Sequence, residues 1–111
     1  MSNETTIPAL LSKATYHLHT DDVAAFKPIA IRVAQVAKKQ AGCLFFDAAQ
    51  DLADPTLIHL IEGWASHEAL AAFSASNGFQ ALLKEAMALR ILDRSVSVHL
   101  VSGVENPPMP S

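Results

Sequence analysis

The sequence is short of several features that would define other classes of protein. Its 111 residues contain one cysteine and no apolar run long enough for a bilayer, which needs about twenty residues. The single Cys43 excludes an intrachain disulfide. A net charge of −3 without a basic stripe argues against nucleic acid as a partner. No glycine-rich phosphate loop is present, so we expect no nucleotide or flavin cofactor.

What remains is typical of a small globular domain. Half of the residues are hydrophobic and 17% are charged. The N-terminus lacks the basic start and apolar core of a signal peptide, so we expect a cytoplasmic protein with no membrane association. We predict an N-terminal arm at residues 1–13, one domain at residues 14–103 and an extended, proline-rich tail at residues 104–111.

The hydrophobic period predicts alternating strands and helices. Strands are predicted at residues 14–19, 43–50, 56–64 and 91–101. A first helix is expected after a Thr20 cap, with Pro28 either kinking it or marking a restart. Ser66 is a plausible cap for a short helix, and Asn77 with Gln80 resembles a capping box that opens another.

The order β-α-β-β-α-β predicts an α+β, ferredoxin-like fold: a four-stranded antiparallel sheet with helices on one face. The helix-facing rows should hold Tyr16, Leu18, Leu44, Phe46, Ile58, Leu60, Trp64, Val96, Val98 and Leu100. The opposite face should hold Phe45, Leu57, Ile61 and Val101. Because that face is apolar and no element remains to cover it, we expect a second copy to do so.

Two segments resemble the antibiotic biosynthesis monooxygenase (ABM) family. Residues 40–47, QAGCLFFD, are similar to its E-P-G-C-L-x-Y/F pattern at the start of the second strand. Asp54-Pro55 and residues 62–70, EGWASHEAL, are similar to its D-P … E-x-W-x-S-x-E-A-L segment. The resemblance extends over roughly residues 14–101 and implies a homodimeric α+β barrel. Family members include cofactor-free oxygenases of quinols or phenols, haem-degrading enzymes, isomerases and proteins without known chemistry.

The chain also departs from the family at positions that carry chemistry. Quinol-oxidising members usually have a histidine where this chain has Phe73, and often another where it has Gly78. The asparagine and histidine of the haem-degrading branch fall near Ala14 and Leu83-Lys84. These departures argue against haem degradation, and they leave quinol oxidation without an evident base.

Trp64 and Glu62 are the candidate catalytic residues. Trp64 would form one wall of a pocket for a flat aromatic substrate, or else fill the core. Glu62 is the only charge on the helix-facing rows, so it is either a base with a raised pKa or a structural carboxylate bonded to backbone amides or to Arg90. The residues expected to line or fill the pocket are Tyr16, Phe26, Phe46, Leu60, Phe73, Phe79, Leu83 and Met87.

Four histidines form a further candidate cluster, on the sheet face away from the helices. His17, His19, His59 and His99 share strand parity, and imidazoles on neighbouring strands can bind Zn²⁺, Cu²⁺ or Fe²⁺. The alternative, which we favour, is a set of hydrogen-bonded polar residues with no metal. Cys43 is interpreted as a small core or interface residue rather than a nucleophile.

Three functions are compatible with this pattern. The first is a cofactor-independent monooxygenase acting on a small aromatic or quinol held between sheet and helices. The second is a non-enzymatic dimeric module that binds a small apolar ligand or merely assembles. The third is isomerase-like proton transfer by Glu62. The depth of the cavity separates the first two, since a closed core of packed phenylalanines favours the module.

Overall fold

The computed structural model describes residues 7–110. The elements, in chain order, are β1 Leu10–Leu18, α1 Val23–Lys38, β2 Cys43–Gln50, β3 Leu57–Trp64, α2 His67–Ala75, α3 Asn77–Met87 and β4 Ile91–Leu100. The four strands form one antiparallel sheet in the order β2-β3-β1-β4. This arrangement confirms the predicted α+β, ferredoxin-like fold.

The first strand is longer than predicted. It begins at Leu10 rather than Ala14, so part of the expected arm is paired within the sheet. Leu10 lies opposite Trp64 on one side and Leu100 on the other, and its side chain is fully buried. The prediction failed because the polar Ser12 occupies a buried position and interrupts the apolar alternation. The last strand ends at Leu100, and residues 101–110 have no regular structure.

The first helix begins differently from the prediction but is not broken. A 3₁₀ turn at Thr20–Asp22 precedes α1, and its cap is His19 rather than Thr20: the Asp21 backbone N–H donates to His19 Nδ1 at 3.1 Å. Pro28 lies inside α1, which continues through it to Lys38. The proline removes one backbone donor in the second turn, and burial of the apolar side of α1 holds the helix together.

The two later helices meet at a serine. Ser66 caps α2 as predicted, accepting from the Ala69 N–H at 3.1 Å. The predicted capping box at Asn77 is wrong by one residue, because Ser76 Oγ accepts from the Phe79 N–H at 3.3 Å. The Gln80 side chain donates instead to the Ser74 carbonyl at 2.7 Å.

The helix-facing core follows the predicted rows with two exceptions. The predicted members that are buried are Tyr16, Leu18, Phe46, Ile58, Leu60 and Trp64. Leu44 does not belong to the row, because the β2 register shifts between Cys43 and Phe45. Val96, Val98 and Leu100 lie opposite buried residues of β1, yet all three are exposed. Since β4 is an edge strand, these three side chains lie beyond the cover of the helices.

Among residues 7–110, no helix covers the opposite sheet face, as predicted, and we call it the open face. Phe45 lies on this face with its ring directly over Gly63, where an added Cβ would approach the ring Cε2 to 2.2 Å. Beside it is an apolar groove of about 810 Å³, lined by Ile7, Pro8, Leu11, Cys43, Leu44, Phe45, Val101, Gly103 and Val104. Within residues 7–110, no helix is long and apolar enough to cross a membrane.

Candidate active site

Glu62 and Trp64 form a buried hydrogen-bonded pair at the end of β3. The two side chains share a face because they are two residues apart on a strand. The Trp64 indole N–H donates to Glu62 Oε1 at 2.8 Å. Trp64 is fully buried and Glu62 is 8% exposed. The sequence analysis therefore named both residues as candidates, but it did not predict the hydrogen bond between them.

Burial sets the protonation behaviour of this carboxyl group. Removal from water raises the pKa of Glu62 above its usual value, and the bond from the Trp64 indole opposes that rise. Arg90, one of the partners considered for a structural Glu62, is elsewhere: its guanidinium binds Asp22 Oδ1 and Oδ2, each at 3.1 Å. In the described part of the chain, no cation forms an ion pair with Glu62.

Aromatic side chains pack behind this pair. Trp64 stacks on Phe73 with ring centroids 5.1 Å apart, and Phe73 contacts Phe79 at 4.8 Å. Phe46 meets the other edge of Phe73 at 6.1 Å. Such contacts each stabilise a core by about 0.5–1.5 kcal/mol beyond area burial. At this end of the sandwich the predicted pocket residues therefore fill the space.

A small cavity remains at the other end, between α1, α3 and the sheet. Its volume is about 20 Å³, which is close to the space of one water molecule. It is lined by Tyr16, Phe26, Ile29, Ala30, Val33, Leu60, Phe79, Leu82, Leu83 and Ala86. Five predicted pocket residues are among them, whereas Phe46 and Phe73 are not. Met87, on α3, is exposed and lines neither region.

The structure thus divides the predicted site in two. Tyr16 lies opposite Ile58 in the sheet register, and Glu62 lies opposite Ser12. Four residues of strand separate the two positions, which corresponds to about 13 Å. Phe79 lines the cavity and contacts Phe73, which stacks on Trp64, so aromatic rings connect the two ends.

The four predicted sheet-face histidines do not converge. His59 hydrogen-bonds Thr15 Oγ1 and Asp51 Oδ2, each at 3.0 Å. His19 caps the 3₁₀ turn, and His99 bonds Ser97. Within residues 7–110, no three histidine, cysteine or acidic side chains are placed to hold a metal ion. Strand parity predicted the shared face, but the register spreads the rings along it.

One polar contact next to the cavity was not predicted. Arg94 lies opposite Tyr16 in the β1–β4 register, and its Nε–H donates to the Tyr16 hydroxyl oxygen at 2.9 Å. The guanidinium carbon also lies 5.4 Å from the Tyr16 ring centroid. Only the register of an edge strand brings these residues together. The hydrophobic pattern predicted both strands, but it did not fix the register between them.

Cys43 also lies near the Glu62–Trp64 pair, since it pairs with Trp64 in the sheet. Its thiol is part-buried and lies 3.6 Å from the Phe45 carbonyl oxygen. Burial, and secondarily the nearby Glu62 charge, raises the pKa of the Cys43 thiol. A raised pKa disfavours the thiolate, which agrees with the interpretation of Cys43 as a packing residue.

Known structures share this fold. A protein from Deinococcus radiodurans, provisionally named an antibiotic biosynthesis monooxygenase, is 19% identical and superposes with a TM-score of 0.84, over 90% of this chain and 99% of its own. The protein PA3566 from Pseudomonas aeruginosa is 21% identical, with a TM-score of 0.79 over 90% and 100% of the two chains. A provisionally named monooxygenase from Nitrosomonas europaea is 18% identical, with a TM-score of 0.79 over 85% and 99%.

These identities are low, so the superpositions establish the fold alone. No curated protein matches the chain with significant sequence similarity. The family model for antibiotic biosynthesis monooxygenase matches residues 12–85, about two-thirds of the chain, including all of β2, β3 and α2. The chain therefore belongs to the antibiotic biosynthesis monooxygenase family.

Proposed function

We propose that this protein is a cofactor-independent monooxygenase that oxidises a small quinol-type aromatic on the helix-facing side of the sheet. One observation carries the proposal: within residues 7–110, the buried carboxyl group of Glu62 is held by Trp64 and forms no ion pair, in a chain of a monooxygenase family. A carboxylate in such a place is costly to keep for structure alone. Because burial raises its pKa, this carboxylate is a better proton acceptor than an exposed glutamate.

The reaction that fits this group begins with removal of a phenolic proton by Glu62. The resulting anion is rich in electrons at a ring carbon and reduces O₂ directly. One oxygen atom bonds to that carbon and the other leaves as water, so a hydroquinone and O₂ give a hydroxyquinone and H₂O. The protein contributes a base, orientation and exclusion of water.

The cavity beside Tyr16 is too small for an aromatic ring. Substrate entry therefore requires displacement of side chains. Phe79 and Leu83 are the natural candidates, because both line the cavity and are only half-buried on α3. Their movement would open the space toward Phe73 and the Trp64–Glu62 pair.

The closed core also favours a second candidate, a non-enzymatic dimeric module. The cavity beside Tyr16 holds about 20 Å³, whereas the large apolar groove lies on the other face of the sheet. A second copy of the chain would cover Leu11, Phe45 and Val101 there. This homodimer is compatible with both candidate functions, because its interface would not involve the helix-facing side of the sheet, where Glu62 and Trp64 lie.

Oxygen uptake with 1,4-naphthohydroquinone tests the enzyme. We expect uptake above autoxidation and, from ¹⁸O₂, one labelled atom in the hydroxynaphthoquinone. Glu62→Gln keeps an oxygen that accepts from the Trp64 indole but cannot take the proton, so it should lower the rate by about 10²–10⁴-fold. Asp51→Asn, which removes a carboxylate from the other face, is the matched control and should retain the rate. Uptake no faster than autoxidation, or a fully active Glu62→Gln variant, would refute the proposal and leave the dimeric module.

A further inference from the structure

The arginines of this chain are not equivalent. Arg32 binds Glu85 through both terminal nitrogens, at 3.1 and 2.7 Å, and Arg90 binds Asp22 in a similar two-pronged way. Arg94 forms no ion pair with any carboxylate of residues 7–110. Among the described residues, its side chain forms one hydrogen bond, from Nε to the Tyr16 hydroxyl. Both terminal nitrogens of its guanidinium therefore remain available to a ligand.

The contact with Tyr16 orients the Arg94 guanidinium and leaves the Tyr16 hydroxyl hydrogen available as a second donor. The Arg94 guanidinium is anchored by a bond to the Tyr16 hydroxyl and by its approach to the ring at 5.4 Å. Because the hydroxyl oxygen accepts from Arg94, its own hydrogen points elsewhere. Tyr16 is itself packed against Phe26 and buried, so the pair is fixed at the border between core and surface. An anchored guanidinium loses less entropy when it binds an anion.

An apolar strip continues from this cation along β4. Val96 and Val98 lie on the same face as Arg94, each 47% exposed, and Leu100 follows. Alternate residues of a strand are about 6.8 Å apart, so the strip extends about 13 Å from Arg94 to Val98. We call these four residues the β4 shelf. It offers a positive charge at one end and an uncovered hydrocarbon surface over the rest.

The far end of the β4 shelf leads toward the proposed base. Val98 lies opposite Ser12 in the register, and Ser12 lies opposite Glu62 on the next strand. An aromatic ligand on the shelf with its anionic group at Arg94 would thus direct its other end toward the strand that borders Glu62. The distance of about 13 Å from Arg94 to Val98 suits a two-ring aromatic acid better than a one-ring acid.

We propose that the β4 shelf binds an aromatic carboxylate, with the carboxylate on Arg94 and Tyr16 and the rings on Val96 and Val98. This deepens the proposed function, on which it rests, by naming the substrate class as hydroxylated aromatic acids. Charge complementarity selects the anion, since a carboxylate accepts two parallel bonds from a guanidinium. The exposed valines select the aromatic body, because a polar ligand would leave them in water.

Two probes, titrated without O₂ so that neither can be oxidised, test the shelf: 1-hydroxy-2-naphthoate and 1-naphthol, which share their rings and differ by the carboxylate. Calorimetric titration of the intact protein should give about tenfold tighter binding for the naphthoate. Arg94→Gln should abolish that preference, and Arg94→Lys should restore part of it. Arg32→Gln removes the same charge from a distant surface and should leave the preference unchanged.

Equal binding of the two probes, no binding of either, or an equal loss in Arg94→Gln and Arg32→Gln would overturn the proposal. Circular dichroism of each variant checks that the fold is retained. Because neither probe needs to be oxidised, failure of the oxygen-uptake test leaves this result readable. The reverse also holds: a naphthohydroquinone without a carboxylate tests Glu62 independently of Arg94.

Discussion

Phe45 and Phe46 are neighbours in β2, yet they belong to different environments. Phe46 lies among the helices at 1% exposure, in edge contact with Phe73. Phe45 lies on the open face, half-buried over the bare backbone of Gly63. The same amino acid therefore completes a core on one side of the sheet and leaves an uncovered groove on the other.

Carboxyl groups show the same contrast. Glu62, on the covered face, has a raised pKa because it is buried with one indole donor. Asp51, whose partner His59 lies on the open face, has a lowered pKa. The hydrogen bond to His59 is the main cause, and two backbone N–H groups that donate to the Asp51 carboxylate add to it. We therefore propose proton transfer on the covered face and self-association at the open face. The comparison teaches that burial raises the pKa of one carboxyl group, whereas hydrogen-bond donors lower the pKa of the other.

The largest expected effect comes from truncating the two phenylalanines. Phe46→Ala should lower the free energy of unfolding by about 3–5 kcal/mol, because it leaves a cavity among fully packed rings. Phe45→Ala should cost at most about half of that in dilute solution, where a half-buried ring is lost. Urea denaturation of both variants measures the difference.

Self-association sharpens this comparison. If the open face is the dimer interface, Phe45→Ala should weaken the dimer, and its loss of stability should grow with protein concentration. Phe46→Ala should retain the association constant measured by sedimentation. Equal and concentration-independent losses in both variants would mean that the two faces do not differ in the way we describe.

A smaller effect is expected at Gly63. Adding a methyl group in Gly63→Ala places Cβ 2.2 Å from the Phe45 ring, so the ring must move. We expect a loss of about 1–3 kcal/mol from overpacking. In the Phe45→Ala background the same substitution should cost much less, because the ring that it would displace is gone. A double-mutant cycle measures this coupling, and additive losses would show that Phe45 does not lie on Gly63 in solution.

Strand parity explains why much of the fold was predictable. Residues of β3 alternate between faces whatever covers them, so the sequence alone placed Glu62 and Trp64 together and Ile61 opposite. The alternation of residues 94–100 in β4 was equally regular, but alternation does not reveal where a helix layer ends. Val96 and Val98 were therefore assigned to a core that stops short of them.

The size of the cavity could not be predicted from the hydrophobic pattern of the sequence. The same phenylalanines line a pocket when they stand apart and close it when they interlock, and only ring positions distinguish the two cases. Glu62 illustrates a second limit. Its partner, the Trp64 indole, was two residues away on the same face, but the sequence offered Arg90 as a more obvious ligand. Arg90 is instead held by Asp22 at the start of α1.

The smallest expected effect is a pair of opposite pH dependences. The folded-state pKa of Glu62 is raised, so the proton binds the folded chain more tightly than the unfolded one. Its contribution is fully present below the unfolded value of 4.5 and is lost as pH rises through the folded pKa. The folded pKa of Asp51 is lowered from 3.8, so its contribution is present above that value and is lost as pH falls through the folded pKa.

Chemical denaturation between pH 3 and pH 8 measures both. Glu62→Gln should gain stability over the parent chain as pH rises past about 4.5, whereas Asp51→Asn should differ from it least at the acidic end. The two variants are controls for each other, because each removes one carboxylate and keeps a similar shape. Parallel curves for the parent and Glu62→Gln would mean that burial does not perturb this carboxyl group. The covered face would then hold no base distinguishable from the acids of the open face.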